Sequence, residues 1–179
     1  MDIYKLNFTK LGFEIFSFLS MKAGERLSQR EIAKALKVSP TAVATAVKNL
    51  TTKNFVKMEK TKTINFISFN RDNPKAIDLK RVENLKQLYL SGLLDFLEEK
   101  LAGGTIILFG SYSKGEDTIT SDVDIAVIGR KDKLLDLEPY EKTLNRPINI
   151  NCYNSWKEIH KHLKNNILNG IILHGSVEL

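Results

Sequence analysis

An apolar run, Thr105-Ile106-Ile107-Leu108-Phe109, ends in Gly110-Ser111, and ten residues later Asp122-Val123-Asp124 opens a second apolar run that reaches Ile128. This pattern constrains the fold more than any other stretch of the chain. The first run, bounded by glycines, reads as a fully buried strand, and Gly110-Ser111 turns the chain at its end. A glycine there lets the backbone approach a ligand closely, and main-chain N–H groups after a strand can cradle phosphate oxygens. In the second run, alternation along the strand puts Asp122 and Asp124 on one face and Val123 and Ile125 on the other. Two carboxylates side by side repel unless a cation lies between them, and Mg²⁺ with phosphate oxygens suits that arrangement.

Gly-Ser, ten residues and Asp-x-Asp between apolar flanks resembles the signature of the polymerase-beta-like nucleotidyltransferase superfamily, nearest its small prokaryotic "minimal" members. The resemblance extends over Leu108-Phe109-Gly110-Ser111-Tyr112-Ser113-Lys114-Gly115-Glu116 and Ser121-Asp122-Val123-Asp124-Ile125, and covers about residues 92–175. It implies that Asp122 and Asp124 are catalytic and hold Mg²⁺. It also implies that Gly110, Ser111, Ser113 and Lys114 contact a nucleotide's phosphates, with Lys114 neutralising charge on the leaving pyrophosphate. In the superfamily the strand beside Asp-x-Asp supplies a third carboxylate that helps to deprotonate the attacking hydroxyl. The corresponding strand here, Ile148-Asn149-Ile150-Asn151-Cys152, carries Asn149 and Asn151 on its polar face. Asparagine offers a carbonyl oxygen but no negative charge, and it cannot accept a proton as a carboxylate does. Alternation turns both asparagines the same way, so the sequence does not choose between them.

The net charge of +6 is concentrated at one end. Residues 1–72 hold 13 Lys and Arg against 6 Asp and Glu, whereas residues 73–179 hold 14 against 15. A basic excess confined to one module is expected where that module meets a polyanion. The local patterns there read as three helices and a hairpin. Leu11, Ile15, Phe18 and Leu19 recur at helical spacing from Thr9 to Met21. Ser28-Gln29-Arg30-Glu31 is a capping-box pattern for a second helix, and Ser39-Pro40 starts a third after a short turn. The third helix buries Val43, Ala46, Val47 and Leu50, which leaves Thr41, Ala42, Thr45, Lys48 and Asn49 outward. Phe55 to Met58 and Ile64 to Phe69 then form a hairpin with a polar tip containing Lys60 and Lys62. Two helices joined by so tight a turn, followed by a hairpin, resemble a winged-helix DNA-binding domain. Thr41, Thr45, Lys48, Lys60 and Lys62 are the residues placed to meet DNA. None is the Arg or Asn that reads a base bidentately, so phosphate contact is the stronger expectation.

The expected class is therefore α+β. A winged helix-turn-helix occupies 1–72, a helical connector 73–91, and a nucleotidyltransferase fold 92–179, with a mixed sheet and flanking helices. From Lys75 to Leu101 the pattern is helical, with a break at Ser91-Gly92. Its leucines suit burial against the chain's own domains or pairing with a second copy. A further helix is expected over 134–144 and another from a cap at Ser155 to Asn169, ahead of a last short strand. No apolar run approaches membrane-spanning length, and Met1-Asp2-Ile3-Tyr4-Lys5 does not read as a secretion signal. Cys152 is the single cysteine, so no disulfide can form within the chain and a reducing cytoplasm fits.

Two functional readings follow. In one, the protein binds double-stranded DNA and transfers a nucleoside monophosphate from a Mg²⁺-bound NTP to an acceptor hydroxyl. In the other, it is a DNA-binding regulator, or an antitoxin-like protein beside a toxin-like partner, whose second domain holds a nucleotide or a partner without turnover. Asp-x-Asp favours the first, and Asn149 and Asn151 favour the second.

Overall fold

The computed structural model describes residues 8–178, so the reading of Met1 to Lys5 lies outside the described residues. The chain divides into two compact units, with the division between Lys80 and Arg81. The first unit begins with α1 (Lys10–Met21), capped by the Thr9 hydroxyl, which accepts from the Gly12 N–H at 3.0 Å. A two-residue strand, β1 (Leu27–Ser28), leads into α2 (Gln29–Leu36). The capping box is realised in both directions: Ser28 Oγ accepts from the Glu31 N–H, and Glu31 Oε2 accepts from the Ser28 N–H. That contact, to the backbone first, holds the exposed Glu31 carboxyl below its usual range. Lys37 in the left-handed region ends α2, and Ser39, two residues on, caps α3 (Pro40–Thr52).

α3 buries Val43, Ala46, Val47 and Leu50 and leaves Thr41, Thr45, Lys48 and Asn49 exposed, as helical periodicity requires. β2 (Val56–Lys60) and β3 (Asn65–Phe69) form the hairpin, and β1 pairs with the outer side of β3, giving the order β1-β3-β2. This is a winged helix-turn-helix. Its core joins Ile15, Phe16 and Leu19 of α1 to Ile32, Val47, Leu50, Phe55, Ile67 and Phe69.

α4 (Pro74–Leu90) runs through the boundary between the units. It gives Ala76, Ile77 and Leu79 to the first core, and Leu85 and Leu88 to the second. Gly92, with φ of +75°, breaks the helical pattern where expected, and α5 (Leu93–Lys100) resumes it. The second unit is built on a four-stranded sheet of order β6-β5-β4-β7, from β4 (Thr105–Phe109), β5 (Val123–Ile128), β6 (Ile148–Tyr153) and β7 (Ile171–His174). β4 runs antiparallel to both neighbours, while β5 and β6 are parallel, so the sheet is mixed. One face packs Ile106, Leu108, Val123, Ile125 and Val127 against α5. The other packs Ile107, Phe109, Ala126 and Ile128 against Ile159 and Ile167. The last of these belongs to α8 (Lys161–Leu168).

Two local expectations are corrected. The helix expected over 134–144 is only α7 (Glu138–Leu144), because Pro139 in the first turn cannot donate a hydrogen bond to an earlier turn. Residues 130–137 have no regular structure. Ser155 does not cap a helix. Glu158 instead accepts from the backbone and side chain of Asn154, which closes a 3₁₀ turn over Trp156–Glu158 ahead of α8.

Candidate nucleotide site and nucleic-acid face

β4 delivers Phe109 opposite Asp124 on β5, and the chain then turns through α6 (Gly110–Lys114). Gly110 has φ of +74°, and a Cβ there would lie 2.5 Å from Asp124 Oδ2. Both the backbone conformation and the closeness of the carboxylate therefore demand glycine. The turn and the acid pair form one site because of that approach. Asp124 sits opposite Asn149 on β6, and the asparagine is aimed at the acids. Its Nδ2 donates to Asp122 Oδ2 at 3.0 Å and to Asp124 Oδ1 at 3.3 Å. Asn151 sits two residues further on, opposite Ala126. Register thus separates two asparagines that alternation leaves equivalent.

The remaining residues expected at phosphates divide. Ser111 is half-buried in the turn, and Lys114 is exposed. Ser113 is buried, and its hydroxyl donates to the Gly110 carbonyl at 2.8 Å. Its side chain fastens the turn and does not face outward with Lys114. The first helical turn explains this, since the fourth residue's hydroxyl reaches back to the first carbonyl.

Behind the site lies a buried polar network with no obvious signal in the sequence. Asp117 Oδ1 accepts from Asn84 Nδ2 at 2.7 Å, and Asp117 Oδ2 accepts from Arg146 Nη2 at 3.0 Å. Asn84 Nδ2 also donates to the Tyr112 carbonyl, and the Tyr112 hydroxyl donates back to the Asn84 carbonyl at 3.2 Å. Burial first, and then the Asp117 carboxylate, push the Tyr112 phenol far above its usual range, so it stays a donor. Asp117 lies on the loop that leads to Asp122, and Arg146 lies three residues before Asn149. The network therefore ties together both approaches to the acid pair. The residues that these bonds join are 28 to 33 apart along the chain. Only the pairing of long-range carboxylate and guanidinium could have suggested it.

A Mg²⁺ ion is compatible with this donor set. Two carboxylates converge on one point and already share a neutral N–H donor, the Asn149 amide. With its amide turned over, Asn149 would add a neutral oxygen through Oδ1, and Mg²⁺ characteristically takes one or two protein carboxylates plus phosphate and water oxygens. Among the described residues no group of three or more His, Cys, Asp and Glu side chains gathers to hold a metal without such outside ligands.

On the winged helix, α3 and β2 flank an open groove of about 560 Å³ lined by Lys48, Thr51, Thr52, Met58 and Lys60. This brings Lys48 and Lys60 together. Thr41 and Thr45 are exposed on the same helix outside the groove, and Lys62 is exposed in the hairpin turn. Thr51 and Thr52 were not anticipated, since their hydroxyls also bond back to the helix carbonyls of Val47 and Lys48.

With this geometry in place, the comparisons with known proteins define the class. Residues 90–174 match the family model described as a nucleotidyltransferase domain, and residues 21–57 match a winged helix-turn-helix DNA-binding model. A curated protein of Methanocaldococcus jannaschii, named "Putative protein adenylyltransferase", is 42% identical in a 67-residue alignment that covers 35% of this chain and 69% of that protein. The chain belongs to the nucleotidyltransferase domain family and joins to it an N-terminal winged helix. Two solved structures are also similar in part. One is the transcriptional regulator BldR from Sulfolobus solfataricus, at 22% identity and a TM-score of 0.36 over 55% of this chain and 64% of that one. The other is a mutant of ZitR from Lactococcus lactis, at 20% identity and a TM-score of 0.40 over 56% of this chain and 64% of that one. The chain thus spans under two thirds of either regulator. Among the described residues no helix is long and apolar enough to cross a membrane.

Proposed function

We propose that the second unit binds a Mg²⁺-bound nucleoside triphosphate and transfers its nucleoside monophosphate to a hydroxyl of a polypeptide, while the winged helix binds duplex DNA. The observation that carries this reading is the convergence of Asp122, Asp124 and the Gly110 turn, with Gly110 so near the Asp124 carboxylate that an added Cβ would lie 2.5 Å from its Oδ2. Asp122 and Asp124 would hold the metal, which would neutralise charge on the phosphate oxygens. Main-chain N–H groups after Gly110, with Ser111, orient the phosphates, and the exposed Lys114 offers a cation to the leaving pyrophosphate. As the acceptor oxygen bonds to the α-phosphorus, the bond from that phosphorus to pyrophosphate breaks, and the hydroxyl proton, with no general base beside it on β6, passes to solvent water. Asn149 cannot act as a base. Transfer is therefore slow relative to binding. The name of the Methanocaldococcus relative supports a protein as acceptor. Full-length protein incubated with α-labelled ATP, Mg²⁺ and polypeptide acceptors should give low but measurable labelling that Asp124→Asn abolishes. Labelling that survives this substitution would place the chemistry elsewhere.

The second reading, a regulator that holds a nucleotide without turnover, is favoured by the same asparagine. It predicts nucleotide binding with no labelling of any acceptor. For the DNA face, the exposed lysines and the basic excess of residues 1–72 support a phosphate-dominated contact. Affinity for duplex DNA should fall steeply with salt. Lys48→Ala should flatten the log–log slope by about one unit in the same titration. An unchanged slope would remove Lys48 from the phosphate contacts.

A further inference from the structure

β6 stands at an edge of the sheet, and among the described strands it pairs only with β5. The Pro147 and Tyr153 carbonyls accept from the N–H groups of Val123 and Gly129 at 2.9 and 2.8 Å. The odd-numbered residues thus turn their main-chain groups toward β5. Because these groups alternate along a strand, Ile148, Ile150 and Cys152 turn theirs outward. At Ile148 the outward N–H donates to Glu141 Oε1 at 2.9 Å. A carboxylate oxygen stands there where the carbonyl of a neighbouring strand would stand. Beyond it, Ile150 and Cys152 face an open cleft of about 690 Å³. The irregular segment from Asp132 to Leu137 supplies the opposite wall, in which Leu134 is fully exposed. Asp124 and Asn149 line the same cleft, so it is continuous with the acid pair.

We propose that this edge accepts an extended segment of the acceptor polypeptide as an added strand, and so delivers its hydroxyl to the acid pair. The inference rests on the transfer reading above for the fate of the hydroxyl, but not for the docking itself. Ile150 and Cys152 each present one N–H and one C=O, about 6.6 Å apart at a strand's rise per residue. A peptide backbone repeats donors and acceptors at that spacing, whereas a nucleobase presents its polar atoms along one short edge. Exposed edges are ordinarily blunted by lysine, proline or a covering element. On β6 the first rung is covered by Glu141 and Asp132 lies against the Cys152 thiol, but the residues whose main-chain groups face outward include no lysine or proline. The added segment would end at Glu141, beside Asn149 and Asp124, which places the reactive residue at the end of the paired stretch. Pairing through the backbone makes recognition tolerant of sequence, with alternate side chains resting on Leu134 and Leu135.

The test uses the full-length protein and fluorescein-labelled decapeptides of alternating Val and Thr, with terminal lysines and one tyrosine near an end. Twin peptides carry backbone N-methyl groups on either the odd or the even residues. Fluorescence polarisation should show binding that one N-methyl frame weakens at least tenfold while the other leaves it intact. Ile150→Pro should abolish binding, since it deletes an outward N–H without entering the β5 ladder, and Ile150→Val should not. Retained MgATP binding shows that the proline variant is folded. If it is not, Cys152→Pro and the N-methyl frames carry the same test. No peptide binding, equal loss in both frames, or full displacement of peptide by MgATP would overturn the proposal, the last by assigning the cleft to nucleotide. Frame-specific binding without labelling of the tyrosine would uphold docking and defeat the transfer reading. Labelling of peptides without frame specificity would do the reverse.

Discussion

Asn149→Asp is expected to raise the rate of nucleotidyl transfer, by as much as about 10²–10⁴-fold if the new carboxylate acts as a full general base. Asn151→Asp is expected to leave the rate nearly unchanged. The difference follows from register. Asn149 lies opposite Asp124 and donates to both acids, whereas Asn151 lies opposite the small, buried Ala126. The substitution exchanges a donor that bridges two carboxylates for a third negative charge. Without a cation the three charges repel, so the variant should be less stable than wild type in EDTA and should recover in Mg²⁺. Side-by-side transfer assays, with thermal melts in EDTA and Mg²⁺, read both effects. Equal rates for the two variants would show that the acceptor proton leaves by another route.

Breaking the buried ion pair behind the site should have the largest effect on stability. Asp117 and Arg146 are 0% and 3% exposed, and the carboxylate's two oxygens are both engaged. Asp117→Asn or Arg146→Met removes one member of a fully buried ion pair, and such losses typically cost about 3–5 kcal/mol. Replacing both should cost less than the sum of the single changes. Trp156 is the only tryptophan and lies in the second unit, so its fluorescence reports urea unfolding where the pair sits. The single variants should also lose nucleotide binding, because Asp117 and Arg146 anchor the loops that lead to Asp122 and Asn149. Single variants within about 1 kcal/mol of wild type would mean that water reaches this pair.

How legible the site was depends on how local its determinants are. Gly110-Ser111 and Asp122-Val123-Asp124 are legible because a strand end, a turn and an alternating strand are encoded within a few residues. The caps at Ser28 and Ser39 are legible for the same reason. Asn149 could not be separated from Asn151, because the choice depends on the pairing of β6 with a strand 25 residues earlier. Ser113 looked like a ligand within the motif, but it is turned inward by the helical turn that the motif itself creates. The ties among Asn84, Asp117 and Arg146 are set wholly by tertiary packing. Ser155 followed by Glu158 reads as a capping box, yet Asn154 takes the glutamate first. A three-residue cue does not decide between two neighbouring donors.

A metal-dependent nucleotide site at Asp122 and Asp124 should show itself in calorimetric titration of ATP into the full-length protein. In Mg²⁺ wild type should bind, and Asp122→Asn or Asp124→Asn should weaken binding at least tenfold, about 1.4 kcal/mol. In EDTA the wild type should lose a comparable amount. Equal affinity of wild type and both variants, with Mg²⁺ and with EDTA alike, would contradict the account and leave only a phosphate-binding turn at Gly110.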